Sequence, residues 1–358
     1  MQVGIIGLPN AGKSTIFNTL TKGMAEVASY PFCTIEPNIG ITEVPDNNIQ
    51  SLSDIYNSAK ITPATIRILD IAGLVKGASK GEGLGNKFLS HIRTVDAIAH
   101  VVRCFYDENV AHIDKYIDPA GDIGIINTEL LLADIEILQR KREKLISISK
   151  SGDASAKSQL EVIEFITGEF NNERIPDLSD LHRRYNELFN ELNLLSIKPT
   201  LYIANTGDNE KDEELYKKLI TEVSRKNIIK IFAKLESELS ELPKEERSEY
   251  AREFGVDKSG LSIFIKTCYG MLDLITFYTI NKNETRAWSI KKGSNVLKAA
   301  GKIHSDMEKG FIKAEVINVQ QLLDFGSISH AREEGKVRIE GKDYIIGDKD
   351  VIQVRFSV

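Results

Sequence analysis

Short apolar runs alternate with amphipathic stretches from the start of the chain to about residue 128. Val3–Ile6, Ile39–Val44, Ile66–Asp70 and Ala97–Arg103 read as strands, while Ser14–Lys22, Ile49–Tyr56 and Asn86–Thr94 carry apolar residues at helical spacing. Such alternation predicts a mostly parallel sheet covered by helices. From Thr128 the period lengthens and stays helical. Glu129–Ser149 has an apolar stripe (Leu131, Ile135, Leu138, Leu145), and Ser155–Phe170 and Leu178–Leu195 follow it after short polar breaks. Residues 129–198 therefore read as a helical insertion, an antiparallel hairpin of coiled-coil type. The strand pattern returns with Thr200–Ala204 and Ile228–Phe232. Helices are expected at Leu235–Leu242, Lys244–Phe254 and Ser259–Leu274.

Beyond residue 275 the chain turns β-rich. Thr285–Ile290 and Ile312–Val319 read as strands, Val296–Met307 as one amphipathic helix, and Tyr344–Ile346 with Val351–Phe356 as a hairpin. The division expected is residues 1–128 with 199–274 as an α/β domain, 129–198 as the insertion, and 275–358 as a small mixed domain.

The loop after the first strand carries the most specific chemistry. Gly7, Gly12, Lys13 and Ser14 stand at the spacing of a P-loop, with a strand before and a helix after. Backbone N–H groups must curl around a polyphosphate there, so glycine is needed where a side chain would collide. Asn10, Ala11, Gly12, Lys13, Ser14 and Thr15 are the expected phosphate contacts. Lys13 neutralises the β/γ-phosphates and Ser14 offers a hydroxyl to Mg²⁺. The strand ending in Asp70 supports the metal, and Gly73, three residues on, is the expected γ-phosphate sensor. The stretch from Gly73 to Gly85 holds five glycines in thirteen residues and reads as a switch. Thr34, between the first helix and the second strand, is the candidate third Mg²⁺ ligand, with Thr21 and Ser29 as the alternatives.

Asn205, Thr206 and Asp208 follow the strand Thr200–Ala204, where such proteins read the base. Guanine readers place Asn-Lys-x-Asp there, and this chain has Thr206 in place of the lysine. Leu74 stands where related GTPases orient water with glutamine, so hydrolysis is expected to be slow, and His112 is the candidate to act instead. Asn10 is a candidate to help hold a monovalent cation, K⁺. A small-molecule kinase would need a lid and an acceptor pocket with a catalytic base, and the sequence shows neither.

Charge sharpens the division. Residues 275–358 carry 14 Lys and Arg against 11 Asp and Glu, a net +3, while the remainder carry 32 against 41, a net −9. Only the C-terminal part, with the cluster Arg140-Lys141-Arg142, offers a basic surface for RNA. Three scattered cysteines (Cys33, Cys104, Cys268) argue against a disulfide framework or zinc site and fit a reducing, cytoplasmic setting. No signal peptide or membrane-spanning run is visible.

Several of these segments together resemble one family. Gly7–Thr15, Pro31–Pro37, Asp70–Gly85, His100–Phe105 and Asn127–Leu130 are similar to the YchF family of Obg-related ATPases. Arg286–Ile290, Ala300–His304 and Glu308–Phe311 resemble its TGS domain. The resemblance implies an Obg-type P-loop G domain, a coiled-coil insertion and a β-grasp-like TGS domain. It also implies ATP in preference to GTP, and a ribosome or ribosomal subunit as partner, for a chain expected to be monomeric. The family usually has Glu where this chain has Asp208. That Asp has the reach of a guanine reader, so a GTPase of the same type stands as the alternative. A ribosome- or RNA-binding module with a structural nucleotide is the other.

Overall fold

The computed structural model describes residues 1–22, 38–71, 84–107, 116–223, 227–243, 246 and 259–357. They fall into two compact units, one of residues 1–40 and 68–261, the other of 41–67 and 262–358.

The first unit is built on a sheet of order β2-β4-β1-β5-β6-β7. Its strands are β1 (Gln2–Ile6), β2 (Ile39–Glu43), β4 (Thr65–Asp70), β5 (Ala97–Cys104), β6 (Thr200–Thr206) and β7 (Ile228–Ile231). β1, β5, β6 and β7 run parallel, with Ile6 opposite His100, and Cys104 opposite Thr206. Every residue of β5 is buried, as a central strand covered on both faces requires. Helices α1 (Lys13–Thr21), α3 (Leu84–Thr94), α4 (Pro119–Ser149), α8 (Glu210–Glu222) and α9 (Ala233–Glu241) complete the α/β alternation.

The helix that enters the insertion expected from residue 129 begins earlier in the chain. α4 starts at Pro119, a residue suited to a first turn, and runs 31 residues without a break. No glycine or proline occurs from Ile125 to Ser149, so the sheet-covering helix and the first arm of the hairpin are one rod about 46 Å long. Its first half packs Ile126, Leu130 and Ala133 with Ile98 and Ile92. Its second half packs Leu138 and Leu145 with Ile163, Ile166 and Phe170 of α5 (Ala154–Asn171). Asp153 caps α5 by accepting from Ser155 N and Ala156 N at 2.8 and 3.2 Å. The helix expected over 178–195 is two, α6 (Ser179–Arg184) and α7 (Asn186–Leu192), broken at Tyr185 (φ −118°, ψ 42°). Buried Asp134 on α4 ties the return of the chain. Its carboxylate accepts from Leu195 N, Ser196 N and Ser196 Oγ at 2.8, 2.8 and 2.7 Å.

The second unit is a mixed sheet of order β11-β10-β12-β8-β9-β3. The strands are β3 (Ile61–Thr62), β8 (Leu274–Ile280), β9 (Thr285–Lys291), β10 (Phe311–Asn318), β11 (Arg338–Glu340) and β12 (Asp350–Phe356). The helices are α2 (Asn48–Tyr56), α11 (Val296–Ile303), α12 (Ser305–Lys309), α13 (Val319–Phe325) and α14 (Ile328–Glu333), while α10 (Gly260–Met271) and the strands β2 and β4 cross the boundary between units. α11 lays Val296 and Ala299 onto Phe277, Ala314, Val316 and Ile352.

Two expectations change here. The helix over Val296–Met307 breaks at His304, whose extended backbone (φ −162°) lets its ring accept from Asp306 N at 3.2 Å. The hairpin of Tyr344–Ile346 with Val351–Phe356 is absent. β12 pairs instead with β10 and β8, and Ile345 makes only an isolated bridge to Asn295. Residues 41–67, which follow α1 in the chain after about twenty residues, group with the C-terminal residues, where β3 pairs with β9. Most of the helix expected at Lys244–Phe254 lies outside the described residues.

Candidate nucleotide site

Ligands of open α/β sheets bind beyond the carboxyl ends of the strands. The carboxyl ends of β1, β4, β5 and β6 carry the chemistry of this chain.

The turn after β1 is shaped by what it cannot hold. Gly7 has φ 151°, and a Cβ there would lie 2.4 Å from the Val101 carbonyl oxygen. Gly12 has φ 98°, and a Cβ would lie 2.2 Å from Asn205 Nδ2. Asn10 also adopts positive φ, at 63°. Two glycines thus let the loop curl between β5 and β6 before α1 begins at Lys13. The N-cap residue of α1 is Gly12, which has no side chain to consume the first N–H groups.

Lys13 is buried, and its Nζ donates to Leu8 O at 2.8 Å. Burial lowers its pKa, and the nearby charge of Asp70 opposes that shift. Asp70 ends β4. Burial raises its pKa, and the Lys13 ammonium and a hydrogen bond from Ser14 pull it back down. Lysine, serine and carboxylate are therefore brought together from two strand ends. This is the donor set a Mg²⁺–polyphosphate needs: an ammonium for the phosphates, a hydroxyl for the ion, and a carboxylate behind it. Among the described residues no group of three His, Cys, Asp or Glu forms a metal cage. A Mg²⁺ held largely by phosphate and water does not require one. Thr34, Gly73 and His112 lie outside the described residues.

At the end of β6 the structure brings Asn205 against the P-loop. Asn205 Nδ2 donates to Ala11 O at 2.9 Å, while its Oδ1 accepts from Ala233 N at 3.1 Å. This buried amide joins the phosphate loop to the start of α9. Thr206 is buried too, and its hydroxyl has no partner among the described residues. Asp208 is exposed. Asn10, Ser14 and Thr15 are likewise exposed on the loop and first turn.

Sequence reasoning missed several supports. His100 on β5 is 1% exposed beside Tyr202, with ring centroids 5.6 Å apart. Burial, helped by the charge of Lys13, lowers its pKa to about 3, so the ring is neutral. Arg103 is buried at the end of β5, and its Nε donates to Phe105 O at 3.2 Å. The charges of Asp107, Asp122 and Asp212 surround it. Glu236 accepts from Ser259 Oγ and Gly260 N at 2.8 and 2.5 Å and so caps the start of α10. His100 and Arg103 lie in the segment His100–Phe105 that resembles the family, but no local pattern gave either a role, and Glu236 lies in no motif.

Comparison with known proteins agrees with this geometry. Residues 2–133 match a family model described as a 50S ribosome-binding GTPase, and residues 274–357 match the YchF-GTPase C-terminal model, described as a protein of unknown function. The chain is 44% identical to the ribosome-binding ATPase YchF of Bacillus subtilis over 364 residues, covering 100% of both. It is 43% identical to the protein of that name from Escherichia coli O157:H7 over 360 residues, covering 100% of this chain and 99% of the other. The solved structure of the Schizosaccharomyces pombe YchF GTPase superposes with a TM-score of 0.88 at 34% identity, covering 99% of this chain and 97% of that one. A GTP-binding protein of Pyrococcus horikoshii shares the fold, with a TM-score of 0.64 at 21% identity. With a polyphosphate loop braced between β5 and β6 and full-length relatives at this identity, the chain belongs to the YchF family of P-loop proteins.

Proposed function

We propose that this chain is a Mg²⁺-dependent nucleotide switch that slowly hydrolyses ATP to ADP and phosphate and works on the ribosome. The observation that carries the reading is the convergence of Lys13, Ser14 and Asp70 at the mouth of a loop that only glycine can form. Asn10–Thr15 bind the phosphates and Lys13 neutralises their charge. Ser14 and Asp70, with Thr34, would hold Mg²⁺, whose chemistry is to offset charge on the bridging oxygens. Gly73 reports the γ-phosphate, and His112 acts on the attacking water. Asn205, Thr206 and Asp208 surround the base.

In this reading residues 1–128 and 199–274 are the nucleotide-binding domain, 129–198 the coiled-coil insertion and 275–358 the TGS domain. The insertion, through Arg140–Arg142, and the TGS domain present the surface for the ribosome or its RNA. The protein acts as a monomer in the cytoplasm. The names of its relatives, ribosome-binding ATPase, support both the nucleotide and the partner. A GTPase of the same design is the second reading, favoured by the shorter Asp208.

Calorimetry with ATP, GTP and their diphosphates, with and without Mg²⁺, tests the assignment. Lys13→Ala is expected to weaken Mg-ATP binding about ten- to hundredfold, the loss of one charge-assisted contact. Full retention of affinity for every nucleoside triphosphate would overturn the reading, and a tenfold preference for GTP, about 1.4 kcal/mol, would transfer it to the GTPase.

A further inference from the structure

One buried carboxylate next to the base loop is spent in an unusual way. Asp212 is the third residue of α8, where an acid ordinarily serves its own helix start from the surface. Here it is 1% exposed. Its Oδ2 accepts from Asn209 Nδ2 at 2.9 Å, and its own N–H donates back to Asn209 Oδ1 at 3.0 Å. Its Oδ1 turns the other way and accepts from Tyr106 N at 2.9 Å, 106 residues earlier in the chain. Capping alone explains the first pair and not the last.

Both ends of this bridge border the nucleotide site. Asn209 closes the loop that begins at Asn205. Tyr106 belongs to the exit of β5, a segment held from beneath by Arg103, whose side chain donates to Phe105 O and Asp107 O at 3.2 and 3.4 Å. The loop is fitted around the carboxylate, since a Cβ at Gly207 would lie 2.3 Å from Asp212 Oδ2. Moving the base loop therefore moves Asp212, and moving Asp212 pulls on the β5 exit.

We propose that Asp212 is a positioning residue for base selection: it locks the loop Asn205–Asn209 to the exit of β5, so that the groups facing the base keep one register. It does not touch the nucleotide. Because the P-loop lies on the other side of Asn205, phosphate binding does not depend on this lock. The inference rests on the proposed nucleotide function and deepens it.

The test compares the full-length protein with Asp212→Asn and Gly207→Ala, titrated with Mg-ATP, Mg-GTP and Mg-tripolyphosphate, together with hydrogen exchange at the Tyr106 amide. Asp212→Asn keeps the shape but sets an amide donor against one of two donors. Gly207→Ala disturbs the carboxylate from the opposite side and leaves it charged. The expected result is an ATP-to-GTP affinity ratio altered about tenfold in both variants, faster exchange at Tyr106, and tripolyphosphate affinity unchanged within about twofold. Equal weakening of all three ligands would reduce Asp212 to a structural cap and overturn the proposal. So would a ratio that stays put while Tyr106 exchanges faster, or a wild-type ratio near one. A wild-type chain that binds no nucleotide would sink the proposed function as well, which separates the two failures.

Discussion

Placing a methyl group on Gly12 should damage the nucleotide site through a residue nearly two hundred positions away. The backbone there has φ 98° and ψ 15°, a region that costs an L-residue about 1–2 kcal/mol. The added Cβ would stand 2.2 Å from Asn205 Nδ2, so that amide must leave. Its departure breaks the bond to Ala11 O and the bond from Ala233 N. Each is worth about 0.5–1.5 kcal/mol net. Gly12→Ala should therefore cost about 2–5 kcal/mol, and a unit of this size loses about 2–4 °C in Tm per kcal/mol. Thermal unfolding should show a drop of about 4–20 °C, and calorimetry a loss of Mg-ATP affinity. Asn205→Ala alone should cost about 1–3 kcal/mol, because it deletes the same two bonds. Gly12→Ala with Asn205→Ala should then cost clearly less than the sum, since the clash has no partner and the bonds are lost only once. Strict additivity across this cycle would refute the argument that the amide and the glycine share one space.

Two other expectations follow from different parts of the molecule. Asp134→Asn should destabilise the chain by about 1–3 kcal/mol, because an amide donor would face Ser196 N and Oγ inside the protein. Burial holds the Asp134 carboxyl above the usual carboxylate range, so just above that range the folded chain binds more protons than the unfolded one. The stability it confers is thus fully present below the unfolded value, about pH 4, and declines as pH rises through the folded value. Denaturation of wild type and variant across that window checks the sign, and a stability difference that grows with pH would contradict it. At the phosphate loop, Asn10 is expected to help hold K⁺, so hydrolysis should be faster in K⁺ than in Na⁺ buffer, and equal rates would remove that role.

Much of this protein is written in short stretches of its sequence. The strand–glycine–lysine–helix order pointed to the phosphate loop because the pattern spans fewer than ten positions, although the contacts that demand Gly7 and Gly12 come from Val101 and Asn205. Every described strand expected in the first two hundred residues is present within one or two residues of its expected bounds. Asp70 was legible for the same reason, as a carboxylate at a strand end. Other features depend on which distant segments meet. The start of α4 at Pro119 is set by a helical period that runs on because nothing local stops it, and only packing shows that one rod serves two neighbourhoods. The grouping of residues 41–67 with the C-terminal sheet, and the pairing of β12 with β8 rather than with Tyr344–Ile346, rest on hydrogen bonds between strands far apart in the chain. His100, Arg103, Asn205 and Asp212 acquire their roles through burial and through partners up to 194 residues away. Local sequence determines what a segment can become; which buried amide or carboxylate braces which loop is decided only when the sheet places their backbones side by side, since desolvation then forces each polar group to find a partner within reach.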